Sequence, residues 1–186
     1  MSKYQYHKYE SPRLTYEMID ESDVDLLLDL DSDSDVMKYI TGKATTREEM
    51  VNVLIPRLLS YTDHRYGWGQ WKTFTKDTGE FIGWFLIRLD KDHPNQVEIG
   101  WRLKKEFWGK GYGTEGALLF MEHSFNQDNV SHVFAIAHPD NTASHAIMEK
   151  IGLKFLKQYT YKVPNLLEEE VVHYELSRED YLRSIS

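Results

Sequence analysis

Apolar and polar residues alternate most cleanly from Val97 to Leu103. Val97, Ile99, Trp101 and Leu103 fall on one face and Glu98, Gly100 and Arg102 on the other, a period of two that predicts a strand. Further on, Ala117, Leu118, Met121 and Phe125 recur at three- and four-residue spacing, which predicts a helix. Before this pair, residues 1–10 form a tyrosine-rich arm and 13–19 read as a first strand. Val24, Leu27, Leu28 and Leu30 alternate with acids and predict a short helix over 21–30 with Ser22 as its cap; a second helix spans 35–40. Thr46 and Glu49 have capping-box spacing and open a helix towards Tyr61 that Pro56 kinks or divides.

Two runs, 68–76 and 80–89, flank Asp77-Thr78-Gly79 as a hairpin, and His93-Pro94-Asn95 turns the chain into the Val97 strand. Residues 132–137 read as a strand buried on both faces. Asp140 or Asn141 then caps a helix ending near Ile151, with Gly152 as its stop. Strands over 155–163 and 169–176 follow. With no repeat or linker, residues 11–186 read as one α/β (α+β) domain built on a mixed, mostly antiparallel sheet.

Between the Val97 strand and its helix stand Gly109, Gly111, Gly113 and Gly116, with Lys104, Lys105 and Lys110 nearby. A glycine-rich turn opening a helix lets backbone N–H groups approach an anion, which the helix dipole also favours. The residues from Gly111 to Gly116 satisfy G-x-G-x-x-G, so a dinucleotide-binding oxidoreductase domain is one reading. Seven residues separate the strand from those glycines, however, and no repeated βαβ units flank them, unlike that fold. A P-loop fails because Gly109-Lys110 is followed by Gly111.

Composition narrows the chemistry. A net charge of −8 argues against nucleic acid as the main partner, so an anionic ligand needs a local basic patch, for which Arg102, Lys104, Lys105 and Lys110 are available. The absence of cysteine removes disulfides, thiolate metal sites and a cysteine acyl-enzyme. No apolar stretch is long enough to cross a bilayer and the first residues lack a signal-peptide core, so the expected setting is cytoplasmic, without membrane or nucleic-acid partners. Histidine spacing predicts no metal, and the acids Asp29, Asp31, Asp33 and Asp35 fail as an EF-hand because Val36 and Gly42 occupy its glycine and glutamate positions. That acidic run reads as a solvated turn between helices or as an attractor for a cationic acceptor.

Trp108-Gly109-Lys110-Gly111-Tyr112-Gly113 resembles the acyl-CoA motif of the GNAT N-acetyltransferases, Q/R-x-x-G-x-G/A, with Trp108 at the Q/R position. Trp-Gly-x-Gly-Tyr-Gly-Thr-Glu is similar to the RimJ/RimL-like branch of ribosomal-protein N-terminal acetyltransferases. The resemblance extends to Ser11-Pro-Arg-Leu-Thr15, to Val36-Met-Lys-Tyr-Ile40, to Asn141-Thr-Ala-Ser144 and to Glu149-Lys-Ile-Gly-Leu153. It implies a helix-flanked, twisted GNAT-like sheet with an acyl-CoA motif over 97–125 and a second motif over 132–155.

The resemblance implies transfer of the acetyl group of acetyl-CoA to a primary amine, on a protein N-terminus or a small molecule. Lacking cysteine and a G-x-S-x-G elbow, the chain suits direct attack in a ternary complex. A non-catalytic CoA-binding regulatory module is the alternative. Carried over residue by residue, the cofactor contacts are Ile99, Gly100, Trp101, Trp108, Gly109, Lys110, Gly111, Tyr112, Gly113, Thr114, Asn141 and Lys150. The implied base is Glu98, on the strand beside the thioester. Many relatives place a tyrosine acid seven residues after the motif asparagine; Met148 stands there, and Ser144 is the substitute donor to the departing thiolate. Three segments, 26–46, 66–71 and 161–169, face the acceptor by the same analogy. A monomer or homodimer is expected.

Overall fold

The computed structural model describes residues 9–162 and 168–186. Eight strands form one sheet: β1 (Tyr9–Glu10), β2 (Leu14–Met18), β3 (Gly69–Thr75), β4 (Phe81–Leu89), β5 (Gln96–Leu103), β6 (His132–Ala137), β7 (Lys154–Lys162) and β8 (Glu168–Ser177). Their spatial order is β1-β2-β3-β4-β5-β6-β8-β7, and every pair is antiparallel except β5 with β6. The mixed sheet and single domain are as the sequence predicts.

The helix α5 (Tyr112–Phe125) covers one face. Its Ala117, Phe120, Met121 and Phe125 pack against Phe85, Ile87, Val97 and Ile99 in the main core. On the other face Leu27 of α1 (Val24–Asp31) meets Met50 and Ile55. The sheet is therefore covered on both faces, and the alternation over Val97–Leu103 marks the difference between them: Val97, Ile99 and Leu103 are buried in the main core, while Glu98, Gly100 and Arg102 are half-buried on the other side.

Several boundaries differ from expectation for local reasons. Among the described residues the sheet begins at Tyr9, inside the expected arm, where that ring packs edge-on against Trp71 and Phe120 and its hydroxyl meets His123 at 2.9 Å. A 3-10 turn, Glu21–Asp23, leads into α1, and Asp20 rather than Ser22 caps it: the Asp20 carboxylate accepts from the Ser22 N–H at 2.8 Å, while Asp23 accepts from the Asp20 N–H. α2 (Ser34–Met37) stops three residues early, and Ile40, Thr41 and Gly42 fold their N–H groups back onto the Met37 carbonyl. Thr46 caps α3 (Arg47–Glu49) as predicted. A π-helical stretch, Met50–Leu54, then separates α3 from α4 (Ile55–Leu59), dividing the helix next to Pro56, whose missing N–H breaks the α-helical ladder.

α6 (Thr142–Lys150) is capped by Asn141 and stopped by Gly152 in the left-handed region. The expected strand end at Val163 lies outside the described residues. A final helix, α7 (Arg178–Ser184), was not predicted, although Ser177 caps it and Tyr181 stacks on Phe125 at 4.6 Å. Arg178 donates from Nε to the Val130 carbonyl at 2.6 Å and from Nη1 to that of Phe125 at 2.7 Å, closing the far end of α5. No described helix is long and apolar enough to cross a membrane.

Candidate functional site

The parallel pairing of β5 with β6 runs only through Gln96–His132, Val97–Val133 and Glu98–Phe134. β5 continues along β4 to Leu103, whereas β6 keeps only β8, its partner along the whole length from His132 to Ala137. The strands splay after Glu98, so β5 from Ile99 onwards has no strand partner on its β6 side. Ile99, Gly100, Trp101, Ala135, Ala137 and His138 flank this gap and line a cleft of about 740 Å³. Glu98, Ser144 and Met148 face the same cleft.

The glycine loop lies beyond the cleft lining, where β5 hands over to α5. Gly109 and Gly111 have φ of +71° and +83°, a region that L side chains rarely adopt, and Gly111 is the residue that starts the helix. Gly113 serves a different purpose, since a Cβ there would lie 2.6 Å from Ile147 Cδ1, so it lets α5 and α6 approach closely. Trp108 is half exposed, and its indole N–H donates to the Leu103 carbonyl at 2.8 Å, strapping the loop to the end of β5. Backbone N–H groups at the start of a 14-residue helix suit a diphosphate.

Sequence reasoning missed the clamp behind this loop. Arg13 donates from Nη1 to the Lys110 carbonyl at 2.9 Å and from Nε to Glu115 Oε2 at 2.6 Å, and its guanidinium lies 4.4 Å from the Tyr112 ring centroid. Glu115 Oε1 also accepts from Ser11 Oγ at 2.6 Å and the Arg13 N–H at 2.8 Å. Burial tends to raise the Glu115 pKa, but these donors and the Arg13 charge prevail and hold it below the ordinary glutamate value. Ser-x-Arg and an acid after the glycines were visible in the sequence; their distance along the chain hid their pairing.

The expected basic patch is not free. Arg102 donates to Asp31 at 2.6 Å with both side chains largely buried, Lys105 pairs with Asp35 at 2.5 Å, and Lys104 pairs with Asp29. Asp33 caps α2. Three acids of the run thus pair with three bases of the patch, and Asp33 and Lys110 stand outside these pairs. Lys110 is exposed, with its ammonium over Phe107.

Within the cleft, Glu98 accepts two bonds on the same oxygen, from Arg88 Nε at 2.8 Å and Nη2 at 2.6 Å. Arg88 is Glu98's register partner across β4 and β5, so counting outwards from the 93–95 turn would have found it. Burial opposes the Arg88 charge, yet Glu98, helped by Tyr61 and Tyr161, leaves the Arg88 pKa raised. The same guanidinium sits 5.2 Å from the Tyr61 ring centroid. Burial pushes Tyr61 up to about 12, with Arg88 and Arg57 acting the other way.

Asn141 is a helix cap whose Oδ1 accepts from the Ser144 N–H at 3.1 Å; Lys150 is exposed, and neither lines the cleft. Of the three segments expected to face an acceptor, the first contributes most, the second only Gln70 and the third Tyr161 and Glu169, with residues 163–167 outside the described set. The helix from Glu49 to Leu58 and Tyr61 supply the remaining wall, which sequence reasoning did not assign. Among the described residues no group of acids and histidines is arranged to hold a metal.

Residues 13–154 match the family model described as acetyltransferase (GNAT) domain. The FsC-acetyl coenzyme A-N(2)-transacetylase of Aspergillus fumigatus is 31% identical over 165 residues, spanning 83% of this chain and 69% of that protein. Among solved structures, the aminoglycoside acetyltransferase AAC(6')-Ib in complex with coenzyme A superposes with a TM-score of 0.76 at 20% identity, over 93% of this chain and 99% of that one. RimL, a ribosomal L7/L12 α-N-protein acetyltransferase in complex with coenzyme A, gives 0.75 at 18% identity, over 94% and 99%. At these identities the structural likeness speaks for the fold.

Proposed function

The chain belongs to the GNAT acetyltransferase family, and from that premise we propose an acetyl-CoA-dependent N-acetyltransferase of the RimJ/RimL-like branch that acts by direct attack in a ternary complex. The observation that carries this reading is the splay of β5 from β6, which opens between Glu98 and Ser144 and leads to the glycine loop of α5.

In this reading the N–H groups from Trp108 to Thr114 hold the diphosphate of acetyl-CoA. The unpaired edge of β5 at Ile99, Gly100 and Trp101 guides the pantetheine arm. Glu98 receives the acceptor ammonium. A carboxylate, with a reference pKa of ~4.3, is a weak base for an amine of ~8, and Glu98 is already bonded to Arg88. Glu98 therefore holds the ammonium and passes its proton on through water. Ser144 donates to the departing thiolate in place of the usual tyrosine, because Met148 is buried there and carries no proton.

Thermal stability with acetyl-CoA, CoA and NADH in parallel tests the cofactor. A ligand at ~100 times its Kd adds ~2.7 kcal/mol. Stabilisation by the CoA species and not by NADH is expected; stabilisation by NADH alone sinks the reading. Amine-dependent thiol release then separates an enzyme from a CoA-binding regulator. Glu98→Gln should lower kcat by roughly 10²–10⁴-fold, the range for a lost proton-transfer group. An unchanged kcat removes Glu98 from the mechanism.

A further inference from the structure

Charge in the cleft is arranged unlike charge on the whole protein. The chain carries −8, yet acids and bases in the lining balance. Asp31 is spent on Arg102, whereas Glu98 meets Arg88 through Oε2 alone. Among the described residues, the side chains of Arg57, Lys43, Glu49 and Glu169 make no ion pair or hydrogen bond, and all four line the cleft.

A polycation is best held by an excess of acids, which this lining lacks. Unpaired groups of both signs, between the aromatic walls Tyr39, Tyr61, Trp84 and Tyr161, match a ligand that carries both signs itself. The placement is specific at one end. Arg57 is half-buried and lies four residues before Tyr61, whose phenol feels its charge. Tyr61 in turn abuts Arg88, the partner of Glu98. Arg57, Tyr61, Arg88 and Glu98 thus line one wall-to-wall stretch of the same cleft, with Tyr61 against Arg88 and Arg88 bonded to Glu98.

We propose that the acceptor is a compact amino acid-like amine, whose ammonium is held at Glu98 and whose own carboxylate is bound by Arg57. This rests on the acetyltransferase reading above and narrows its acceptor. An arginine–carboxylate bond is charge-assisted and directional, so the acceptor is recognised by the group it carries besides the amine.

The test compares, for the intact protein, acetyl-CoA-dependent thiol release with free amino acids, their carboxamides, spermidine and kanamycin. Stabilisation by acetyl-CoA is read in the same samples. Free acids should exceed the matching carboxamides by about 10- to 100-fold in kcat/KM, the worth of one hydrogen bond between charged groups. Arg57→Gln should reduce that ratio towards one, chiefly through KM, and Arg57→Lys should restore part of it. Carboxamides or polycations accepted as well as the acids overturn the proposal, as does an acid preference that survives Arg57→Gln. Stabilisation by acetyl-CoA without turnover of any free amino acid also overturns it while leaving the cofactor reading intact. Absence of stabilisation strikes the underlying reading instead.

Discussion

The two ends of the candidate site are built in different ways. The glycine loop is one contiguous stretch in which backbone conformation matters most: left-handed glycines, a helix start and an indole strap to the preceding strand. The acceptor end gathers side chains from α1, the π-helical segment, β4, β5, β6, β7 and β8. A site written in backbone tolerates almost any side chain except at glycine, so its motif survives in a short string. A site written in side chains depends on which distant residues meet. On the reading proposed above, the first kind reports the cofactor and the second the acceptor.

The comparison predicts a hierarchy of effects. Gly111→Val should abolish acetyl-CoA stabilisation in a protein that still unfolds cooperatively, because a β-branched residue is strained at +83° and its Cβ would crowd Arg13 Nη2 at 3.3 Å. Undiminished stabilisation would remove the loop as the cofactor site. Asp31→Ala should act on the fold, costing roughly 3–5 kcal/mol by chemical denaturation as Arg102 is left charged and largely buried. A loss below ~1 kcal/mol, the level of a surface ion pair, would show that the pair is effectively solvated.

Arg13→Ala lies between these, since it frees the loop without touching its glycines. It should raise the acetyl-CoA KM by about tenfold, the value of one charged hydrogen bond, with little change in kcat. Equal losses in both would move Arg13 into the chemical step. The clamp is also sensitive to acid. Because the folded-state pKa of Glu115 is lowered, its contribution is full above the ordinary glutamate range and is lost as pH falls through the lowered value. Glu115→Gln should therefore flatten part of the acid limb of a stability–pH curve, and an unaltered limb would deny the linkage. The smallest effect belongs to Asp35→Ala, which breaks an exposed pair with Lys105 and should change neither melting temperature nor acceptor KM.

What the sequence disclosed follows the same division. Alternation over Val97–Leu103, the capping pair Thr46 and Glu49, and the turn glycines each record a local preference, and each reappears in the structure. Glu98 and Ser144 were placed by family resemblance, and the fold brings both to one cleft. Arg88, Tyr61 and Arg57 escaped notice because each reads locally as an ordinary strand or helix residue; only strand register and the path of the divided helix aim them inwards. The neutralisation of Lys104 and Lys105 by Asp29 and Asp35 was hidden for the same reason, with roughly seventy residues between partners. α7 was overlooked although its Ser177 cap and acidic first turn are local signals.

The sheet order also fixes a waiting time. β8 enters between β6 and β7 although it is made after both, so β6 leaves the ribosome with one edge bare. At ~5–20 residues per second, the three dozen or so residues separating the starts of β6 and β8 take on the order of 2 to 7 seconds to synthesise. For that interval Val133, Phe134 and Ala135 offer an unpaired apolar edge to any neighbouring chain.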